Sequence, residues 1–264
     1  MTILIIGLGS MGKRRIRCLQ ALGYTDIAGM DTRQDRQVEA IEKYGIKIVD
    51  DPYIIPLSEV FICLPPKFHR QFSKAFKEFP TFIEAGIEPL EYGSPSATMM
   101  YHPAIKEIRQ RLPEIGRIIN ITYHSGQYLP DWHPYEKVSD FYAGEVGAKE
   151  MVAFELMWFC KVFGLPHLYD IYHTGTTDID GLKAPDSYAM TLALSPDAVA
   201  NVMIDVVSRV PTRELIINST GRQLRYNLNE GISEQIYIDE TKAFMEGKLC
   251  NTLTFNNKIV SFIS

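Results

Sequence analysis

The sequence predicts an α/β chain in two parts: an N-terminal parallel sheet, and a C-terminal α+β domain with a mainly antiparallel, open-faced sheet. In the first third of the chain, short apolar runs alternate with amphipathic helical patterns. That alternation requires crossover connections and favours a parallel sheet covered on both faces. From about residue 117 onward, strand patterns follow one another with turn residues between them, which is typical of antiparallel pairing. We therefore expect two domains, 1–113 and 114–264.

The first strand pattern leads directly into a glycine-rich turn. Residues 3–6 read Ile-Leu-Ile-Ile, residues 7–12 read Gly-Leu-Gly-Ser-Met-Gly, and a helical pattern follows at 13–22. In this G-x-G-x-x-G spacing the first glycine permits a tight turn, the second lets a diphosphate approach the backbone, and the third allows close helix–strand packing. The helix N-terminus offers N–H groups to the phosphates. The turn predicts a Rossmann-type domain in which five residues contact a dinucleotide: Gly7, Gly9, Ser10, Met11 and Gly12.

The other elements follow from periodicity and from glycines that end helices. Helices are predicted over residues 35–44, 68–79, 103–112, 150–163 and 234–245. Strands are predicted over residues 26–30, 46–49, 60–64, 81–84, 118–123, 168–173, 187–194, 199–207, 214–218 and 223–226. Two shortened connections predict a trimmed nucleotide-binding sheet, and residues 251–264 show little helical character.

The acidic residue expected after the second strand is Asp31. A carboxylate there can accept hydrogen bonds from both ribose hydroxyls of an adenosine and repels a 2′-phosphate, which favours NAD. Arg33, two residues later, can bind such a phosphate, so NADP stays open as the alternative cofactor. Asp31 can also be an ordinary loop carboxylate.

A second turn follows the fourth strand, at Leu64, Pro65 and His69. Ligands of doubly wound sheets bind beyond the carboxyl ends of the strands, so these three residues are expected to border the cofactor. Alternatively, His69 is simply a histidine in the first turn of the next helix, and the sequence does not distinguish this structural role from a cofactor contact.

The composition is that of an ordinary globular protein: 46% hydrophobic and 22% charged residues, with a net charge of −5 and a pI near 5.7. An acidic chain argues against nucleic acid or an anionic membrane as the main partner. One basic cluster lies at the start of the first helix. We interpret it as a solvent-exposed helix face, in preference to a contact with phosphate. Its members are Lys13, Arg14, Arg15 and Arg17.

The four cysteines are scattered and none has C-x-x-C spacing. Neither a zinc site nor a redox dithiol is indicated, and single cysteines fit a reducing cytoplasm. No signal peptide is expected, because the N-terminus lacks a basic region and its apolar run breaks at Gly7. No apolar stretch approaches the length of a membrane span.

The order of these motifs resembles the Gfo/Idh/MocA (glucose–fructose oxidoreductase / inositol dehydrogenase) family. The resemblance covers nearly the whole chain, with deletions, and rests on these pieces: residues 7–12, Asp31, residues 65–69, residues 82–84, residues 102–105, residues 117–123 and residues 147–164. It implies an NAD(P)-dependent dehydrogenase acting on a sugar, cyclitol or nucleotide-sugar. It also implies a cofactor contact at Glu84 and a homo-oligomer formed through the C-terminal sheet.

Two departures from the family pattern concern the chemistry. After the fifth strand the family usually has Glu-Lys-Pro, whereas this chain has Glu84 followed by Ala85 and Gly86. On the family's active-site helix, Asp, His and Asp are usual where this chain has Glu150, Phe154 and Met157. Phenylalanine cannot transfer a proton, so either the chemistry uses other residues or hydride transfer is impaired or lost.

Two carboxylates are candidates for a relocated acid or base. Glu150 keeps a carboxylate at a motif position, and Glu155 lies in a very apolar stretch where burial can raise its pKa. At 100° per residue the two point about 140° apart on a helix, so they are not expected to form a carboxylate pair. The alternative for Glu155 is a structural carboxylate bound to Arg, Lys or backbone.

An aromatic and polar stretch over residues 124–135 suits a carbohydrate, since rings stack on C–H faces and polar groups bind hydroxyls. The candidate substrate contacts are His124, Tyr128, Asp131, Trp132, His133 and Tyr135. The alternative is an ordered loop that packs its aromatic residues on the sheet. Two histidines and one carboxylate on a loop are weak evidence for a metal, and none is expected.

Three functional hypotheses remain open. The first is an NAD(P)-dependent oxidoreductase acting on a small carbohydrate-like substrate. The second is a nucleotide-binding module of the same fold that no longer catalyses and serves as a sensor or assembly partner. The third is a trimmed chain without a stable cofactor site. Replacement of the usual lysine and histidine favours the second, and the intact glycine turn favours retained dinucleotide binding.

Overall fold

The computed structural model describes residues 1–132, 137–140, 143–175, 178–195, 197–249 and 251–263. The chain divides into two compact units. The first contains Met1–Tyr101 and Ser233–Ser261, and the second contains His102–Ile232 together with the last residues of the chain. This division differs from the predicted single boundary near residue 113, because residues 233–261 pack with the first unit.

The first unit is built on a six-stranded parallel sheet in the order β3-β2-β1-β4-β5-β6. Its strands are β1 (Thr2–Ile6), β2 (Ile27–Met30), β3 (Lys47–Ile48), β4 (Leu57–Ile62), β5 (Thr81–Ile83) and β6 (Ser94–Pro95). Its helices are α1 (Ser10–Ala21), α2 (Gln34–Tyr44) and α3 (His69–Ala75), followed late in the chain by two more. The order reverses at β1, which places the glycine turn at the topological switch point of the sheet.

Alternate residues of the sheet pack into two separate cores, one on each face. Ile3 and Ile5 of β1 contribute to one core together with Phe61 and Phe82. Leu4 and Ile6 contribute to the other. The expected trimming is visible in β3 and β6, which have two residues each. The sheet nevertheless has one strand more than the sequence predicts, because Ser94–Pro95 pairs with β5.

Two C-terminal helices, α7 (Glu234–Met245) and α8 (Thr252–Ile263), follow the second sheet in the sequence. The helix α8 corrects the expectation that residues 251–264 have little helical character. Its Thr, Asn and β-branched residues are modest helix formers, but burial of one face overrides that preference. The buried positions repeat with helical spacing: Thr252, Asn256, Ile259, Val260 and Ile263.

The second unit holds a six-stranded mixed sheet in the order β12-β11-β7-β10-β9-β8. Its strands are β7 (Ile118–Tyr128), β8 (Leu168–His173), β9 (Ser187–Ser195), β10 (Ala198–Asp205), β11 (Val207–Ser219) and β12 (Gln223–Asn227). Only β7 and β10 pair in parallel, and the other four pairs are antiparallel. This agrees with the predicted fold class, a Rossmann-type parallel sheet followed by an α+β domain.

Helices of the second unit are α4 (Pro103–Arg111), α5 (Ala143–Val146) and α6 (Lys149–Phe163). The long apolar helix α6 packs on one face of the mixed sheet, where Tyr123 of β7 meets the rings of Trp158 and Phe159 at 5.1 and 6.0 Å between centroids. The opposite face is open: Val199 and Met203 of β10 are exposed. Among the described helices, none has the length and apolarity needed to cross a membrane.

Candidate functional site

The glycine turn has the shape that a dinucleotide diphosphate requires. Gly7 has φ +91°, and a Cβ there would lie 2.7 Å from the carbonyl oxygen of Cys63. A Cβ on Gly12 would overlap the carbonyl oxygen of Gly7. Among the described residues, only the guanidinium of Arg36 comes within 4 Å of a Cβ placed on Gly9, so a phosphate can approach the backbone at that position. The first N–H groups of α1, on Ser10, Met11 and Gly12, have no acceptor within their own helix. The turn fits a dinucleotide.

Asp31 lies at the carboxyl end of β2, as predicted, but its carboxylate is engaged. Oδ2 accepts a hydrogen bond from the backbone N–H of Leu8 at 2.6 Å, and Oδ1 accepts one from the N–H of Arg33 at 2.8 Å. Only 7% of the side chain is exposed. The carboxylate therefore braces the glycine turn against the β2–α2 turn, and its role toward a ribose stays a prediction.

Two arginines flank Asp31. The guanidinium of Arg33 is exposed and pairs with Asp35 through bonds of 2.6 and 3.0 Å. The guanidinium of Arg36 lies 3.8 Å from Oδ2 of Asp31 and 3.6 Å from where a Cβ of Gly9 would stand. Sequence reasoning missed Arg36, although it lies on α2 only one helical turn beyond Arg33. It is the nearest cation to the place where a diphosphate would approach Gly9.

His69 is buried at the start of α3 and holds the turn that precedes it. Its Nε2 lies 2.7 Å from the carbonyl oxygen of Leu64 and donates a hydrogen bond to it. Burial lowers the pKa of His69 to about 4, so the imidazole is neutral. A Cβ on Gly86 would lie 2.8 Å from its Nδ1. This geometry favours the structural interpretation of His69, which shapes the turn at Leu64 and Pro65.

Glu84 follows β5 and binds a buried arginine. Both of its carboxylate oxygens accept hydrogen bonds from Arg15, at 2.6 and 3.2 Å. Arg15 also donates to Glu240 of α7 at 2.8 Å, and these two carboxylates hold the pKa of Arg15 above its usual value despite burial. The expectation of a solvated basic helix face is therefore wrong for Arg15, which is fully buried.

The loop after β5 is anchored by α8. Nδ2 of Asn257 donates to the carbonyl oxygen of Leu90 at 2.7 Å, and its Oδ1 accepts from the N–H of Leu90 at 2.8 Å. Nδ2 of Asn256 donates to the carbonyl oxygen of Glu88 at 3.1 Å. In this loop Ala85 stands where the family that the sequence resembles usually has a lysine. Its backbone is held in place by side-chain amides.

Glu150 lies in the first turn of α6 and is half-buried. None of the described residues donates a hydrogen bond to its carboxylate or pairs with it. Burial disfavours the charged form and raises the pKa of Glu150 to about 7. An unpaired carboxylate with a pKa near neutrality can accept or donate a proton at physiological pH.

Glu155 is fully buried five residues further along α6. Its carboxylate accepts hydrogen bonds from Tyr123 at 2.6 Å, Ser125 at 3.1 Å and Trp158 at 2.8 Å. Arg213 of β11 pairs with it at 2.7 Å. Every lone pair of Glu155 is used within the unit, which favours the structural interpretation over an acid–base role.

The predicted substrate stretch is a strand for its first half and not a loop. His124 and Tyr128 lie in β7, and the turn of 3₁₀ helix at Leu129–Trp132 holds Asp131 and Trp132. His133 and Tyr135 lie outside the described residues. Alternation along the strand explains the correction, because Ile121, Tyr123 and Ser125 are all buried on one face.

His124 does not lie on the face of the sheet that α6 covers. Since Tyr123 and Ser125 both contact Glu155 of α6, the intervening His124 faces the opposite side of the sheet. There its Nε2 lies 2.7 Å from Oδ2 of Asp205, which is almost fully buried. Trp132 is half-buried, and no described residue accepts a hydrogen bond from its buried Nε1. The structure thus separates His124 from Glu150.

Three comparisons place the fold among known proteins. No family model matches the chain, and no curated protein matches it in sequence. Solved structures match over its whole length. Myo-inositol 2-dehydrogenase from Lactobacillus plantarum has a TM-score of 0.80 at 14% identity, covering 99% of this chain and 94% of that one.

Two further solved structures match the chain to a similar extent. UDP-N-acetylglucosamine 3-dehydrogenase GnnA from Acidithiobacillus ferrooxidans has a TM-score of 0.77 at 14% identity, covering 100% of this chain and 95% of that one. GenD2 from gentamicin A biosynthesis, solved in complex with NAD, has a TM-score of 0.80 at 11% identity, covering 99% and 91%. The chain therefore has the fold of the inositol dehydrogenases and related Gfo/Idh/MocA-type oxidoreductases, as the motif order predicts.

Proposed function

We propose that this protein is an NAD(P)-dependent oxidoreductase that acts on a hydroxyl group of a sugar, cyclitol or nucleotide-sugar. The observation that carries the proposal is Glu150, a half-buried carboxylate without a described partner, whose pKa of about 7 suits proton transfer. The fold supports it, because the structural neighbours include an inositol dehydrogenase and a nucleotide-sugar dehydrogenase.

The first unit would hold the dinucleotide. The backbone of Gly7 and Gly9 and the first N–H groups of α1 would bind the diphosphate. Arg36 would add a positive charge beside Gly9, and Asp31 would keep the turn in shape through Leu8. When bound, a nicotinamide dinucleotide supplies the hydride acceptor or donor that no side chain can provide.

Glu150 would act as the general base when a hydroxyl group is oxidised, and as the general acid in the reverse direction. Its place on α6 is the motif position at which the resembling family carries a carboxylate, while the usual histidine is Phe154 here. A carboxylate whose pKa lies near the working pH can replace histidine in this role. Glu155, whose oxygens are fully hydrogen-bonded, would instead stabilise the fold.

A carbohydrate-like substrate would find hydrogen-bonding groups at Trp132 and Asp131. The buried Nε1 of Trp132 has no described acceptor, and a buried donor of this kind is usually satisfied by a ligand or by water. Asp131 is exposed in the same turn.

We also propose a cytoplasmic location, which the free thiols of Cys18, Cys63 and Cys160 support. The open sheet face of the second unit would join copies of the chain into a homo-oligomer.

The test has two stages. Calorimetric titration with NADH and NADPH should show binding, and a panel of inositols, sugars and nucleotide-sugars should then give turnover followed by nicotinamide absorbance. Glu150→Gln should lower kcat by about 10²- to 10⁴-fold, with dinucleotide affinity retained. The wild-type kcat for oxidation should rise with pH through about 7. The exposed carboxylate Glu114 offers a matched control, and Glu114→Gln should behave as wild type.

The alternative is a dinucleotide-binding module of the same fold without catalysis. Phe154, Met157 and Ala85, which replace the residues usual in the resembling family, favour it. Heat from NADH binding with no turnover on any substrate would support this module. No heat from either dinucleotide, with folded protein, would exclude both the enzyme and the module.

A further inference from the structure

The loop that joins β5 to β6 leaves backbone donors free at the carboxyl end of the first sheet. The N–H groups of Ala85, Gly86 and Ile87 have no hydrogen-bond acceptor among the described residues. Gly86 is buried, and a buried N–H group is nearly always bound by protein, by water or by a ligand. The loop therefore offers main-chain donors to a ligand, beside the position where Ala85 stands in place of lysine.

This loop packs closely against the turn that follows β4. A Cβ on Gly86 would lie 2.8 Å from Nδ1 of His69 and 3.2 Å from Cβ of Pro66. Glycine has no such atom, so the loop backbone can approach the turn this closely. The segments that follow β4 and β5 are thus in direct contact.

The strand order assigns the two halves of a dinucleotide to opposite sides of β1. The sheet has the order β3-β2-β1-β4-β5-β6, and in this fold the diphosphate binds at the turn after β1. The acidic residue at the end of β2, here Asp31, belongs to the side of the adenosine ribose. The nicotinamide half then extends toward the ends of β4 and β5, where residues 85–87 lie.

One side chain of α8 fixes the far end of this loop. Nδ2 of Asn257 donates to the carbonyl oxygen of Leu90 at 2.7 Å, and Oδ1 accepts from the N–H of Leu90 at 2.8 Å. Asn257 thus binds both polar groups of one backbone residue, as a paired strand does. Leu90 is buried, so water replaces these two bonds poorly when the side chain is removed. The loop and α8 both belong to the first unit.

We propose that Asn257 is a positioning residue for the nicotinamide end of the dinucleotide. It holds residues 85–90 in the conformation in which the free N–H groups of the loop bind the carboxamide of the nicotinamide. A carboxamide oxygen accepts hydrogen bonds from main-chain N–H groups, so the loop binds the cofactor without the lysine usual in the resembling family. The inference rests on the proposed dinucleotide site and specifies how one end of that site is formed.

The experiment compares NADH with ADP-ribose, which has the adenosine and the diphosphate but lacks the nicotinamide. In calorimetric titrations the full-length wild type should bind NADH more tightly than ADP-ribose. Asn257→Ala should weaken NADH binding about fivefold or more, because the loop loses two hydrogen bonds, and should keep ADP-ribose affinity within about twofold of wild type. Asn257→Asp keeps the acceptor for the Leu90 N–H and loses the donor, so its NADH affinity should be intermediate. This variant carries the same test if Asn257→Ala does not fold.

Asn227 provides the matched control in the second unit. Its side chain also makes two hydrogen bonds, donating to Glu230 at 3.0 Å and accepting from the N–H of Asn229 at 3.1 Å. Asn227→Ala should keep both affinities within about twofold of wild type. Amide hydrogen exchange of residues 85–92 without ligand should be faster in Asn257→Ala than in wild type, and unchanged in Asn227→Ala.

The outcomes separate this inference from the proposed function. The inference is overturned if Asn257→Ala binds NADH as wild type does, or if it loses affinity for NADH and ADP-ribose equally, as a general loss of structure would cause. It is also overturned if wild type binds ADP-ribose as tightly as NADH. No heat from either ligand with folded wild type would overturn the proposed dinucleotide site itself.

Discussion

Nη2 of Arg213 lies 2.7 Å from Oε1 of Glu155, and neither side chain is more than 5% exposed. The two residues join the helix α6 to the strand β11 inside the second unit. Because Tyr123, Ser125 and Trp158 also donate to this carboxylate, both charges are compensated where water cannot reach them. A paired and fully hydrogen-bonded buried charge is structural unless a ligand displaces one of its partners.

Removing one member of this pair should destabilise the protein strongly. Glu155→Ala leaves the Arg213 guanidinium buried without a counter-charge, which costs about 3–5 kcal/mol in the free energy of unfolding. Urea denaturation measures the loss. The exposed pair of Glu214 and Arg225 is the control, and Glu214→Ala should cost less than about 1 kcal/mol. If Glu155→Ala kept wild-type stability but abolished turnover, the structural interpretation would be wrong.

Glu150 should make stability fall with rising pH. Burial raises its pKa from 4.5 to about 7, so the folded chain holds the proton more tightly than the unfolded chain. The resulting stabilisation is complete below about pH 4.5 and is lost as the pH rises through about 7. Glu150→Gln removes this dependence and should be more stable than wild type above pH 7, by up to ~3 kcal/mol. Denaturation curves between pH 5 and 8 measure it, and a constant difference across that range would contradict the prediction.

Two glycines of the turn should respond differently to the same substitution. Gly12→Ala forces a methyl group onto the carbonyl oxygen of Gly7, so we expect a loss of about 1–3 kcal/mol in stability. Gly9→Ala meets only the flexible end of Arg36, at 3.6 Å, and should fold normally. Its methyl group nevertheless occupies the approach of the diphosphate, so NADH affinity should fall at least tenfold. Thermal melting and calorimetry separate the two effects, and normal NADH binding by Gly9→Ala would contradict the proposed site.

Arg36 should influence the choice of dinucleotide. Its guanidinium lies 3.8 Å from the Asp31 carboxylate, on the side where an arginine accommodates the 2′-phosphate of NADP in proteins with this turn. Arg36→Ala should weaken NADPH binding about tenfold, a loss of ~1.4 kcal/mol, and NADH binding less. Lys43→Ala on the same helix, where Lys43 is exposed and paired with Glu39, should change neither affinity. Equal effects of the two variants would remove Arg36 from the site.

Local sequence signals predicted much of the first sheet. Three of these signals depend only on a few neighbouring residues, so the sequence shows them without knowledge of the fold. They are the glycine turn, the acidic residue after β2 and the glycine that ends α2. The long apolar helix α6 and its end at Gly164 were also readable, because periodicity and a glycine C-cap are local features. The helix α8 was missed because its residues are modest helix formers whose helix depends on burying one face.

The sequence did not reveal the hydrogen-bond and ion-pair partners of the candidate residues. Glu155 is bound by Arg213, 58 positions away, and His124 by Asp205, 81 positions away. Arg15, predicted to be solvated, is paired with Glu240 across 225 positions. No periodicity encodes such pairs, because the chain brings them together only when sheets and helices pack.

By itself, the sequence determined a dinucleotide-type turn, the alternation of strand and helix, and the two candidate carboxylates on α6, all of which depend on neighbours within a few residues. The tertiary structure decided what each carboxylate does. Packing surrounds Glu155 with donors and leaves Glu150 half-buried without one, and the difference between the two environments gives one a structural role and the other a pKa near neutrality.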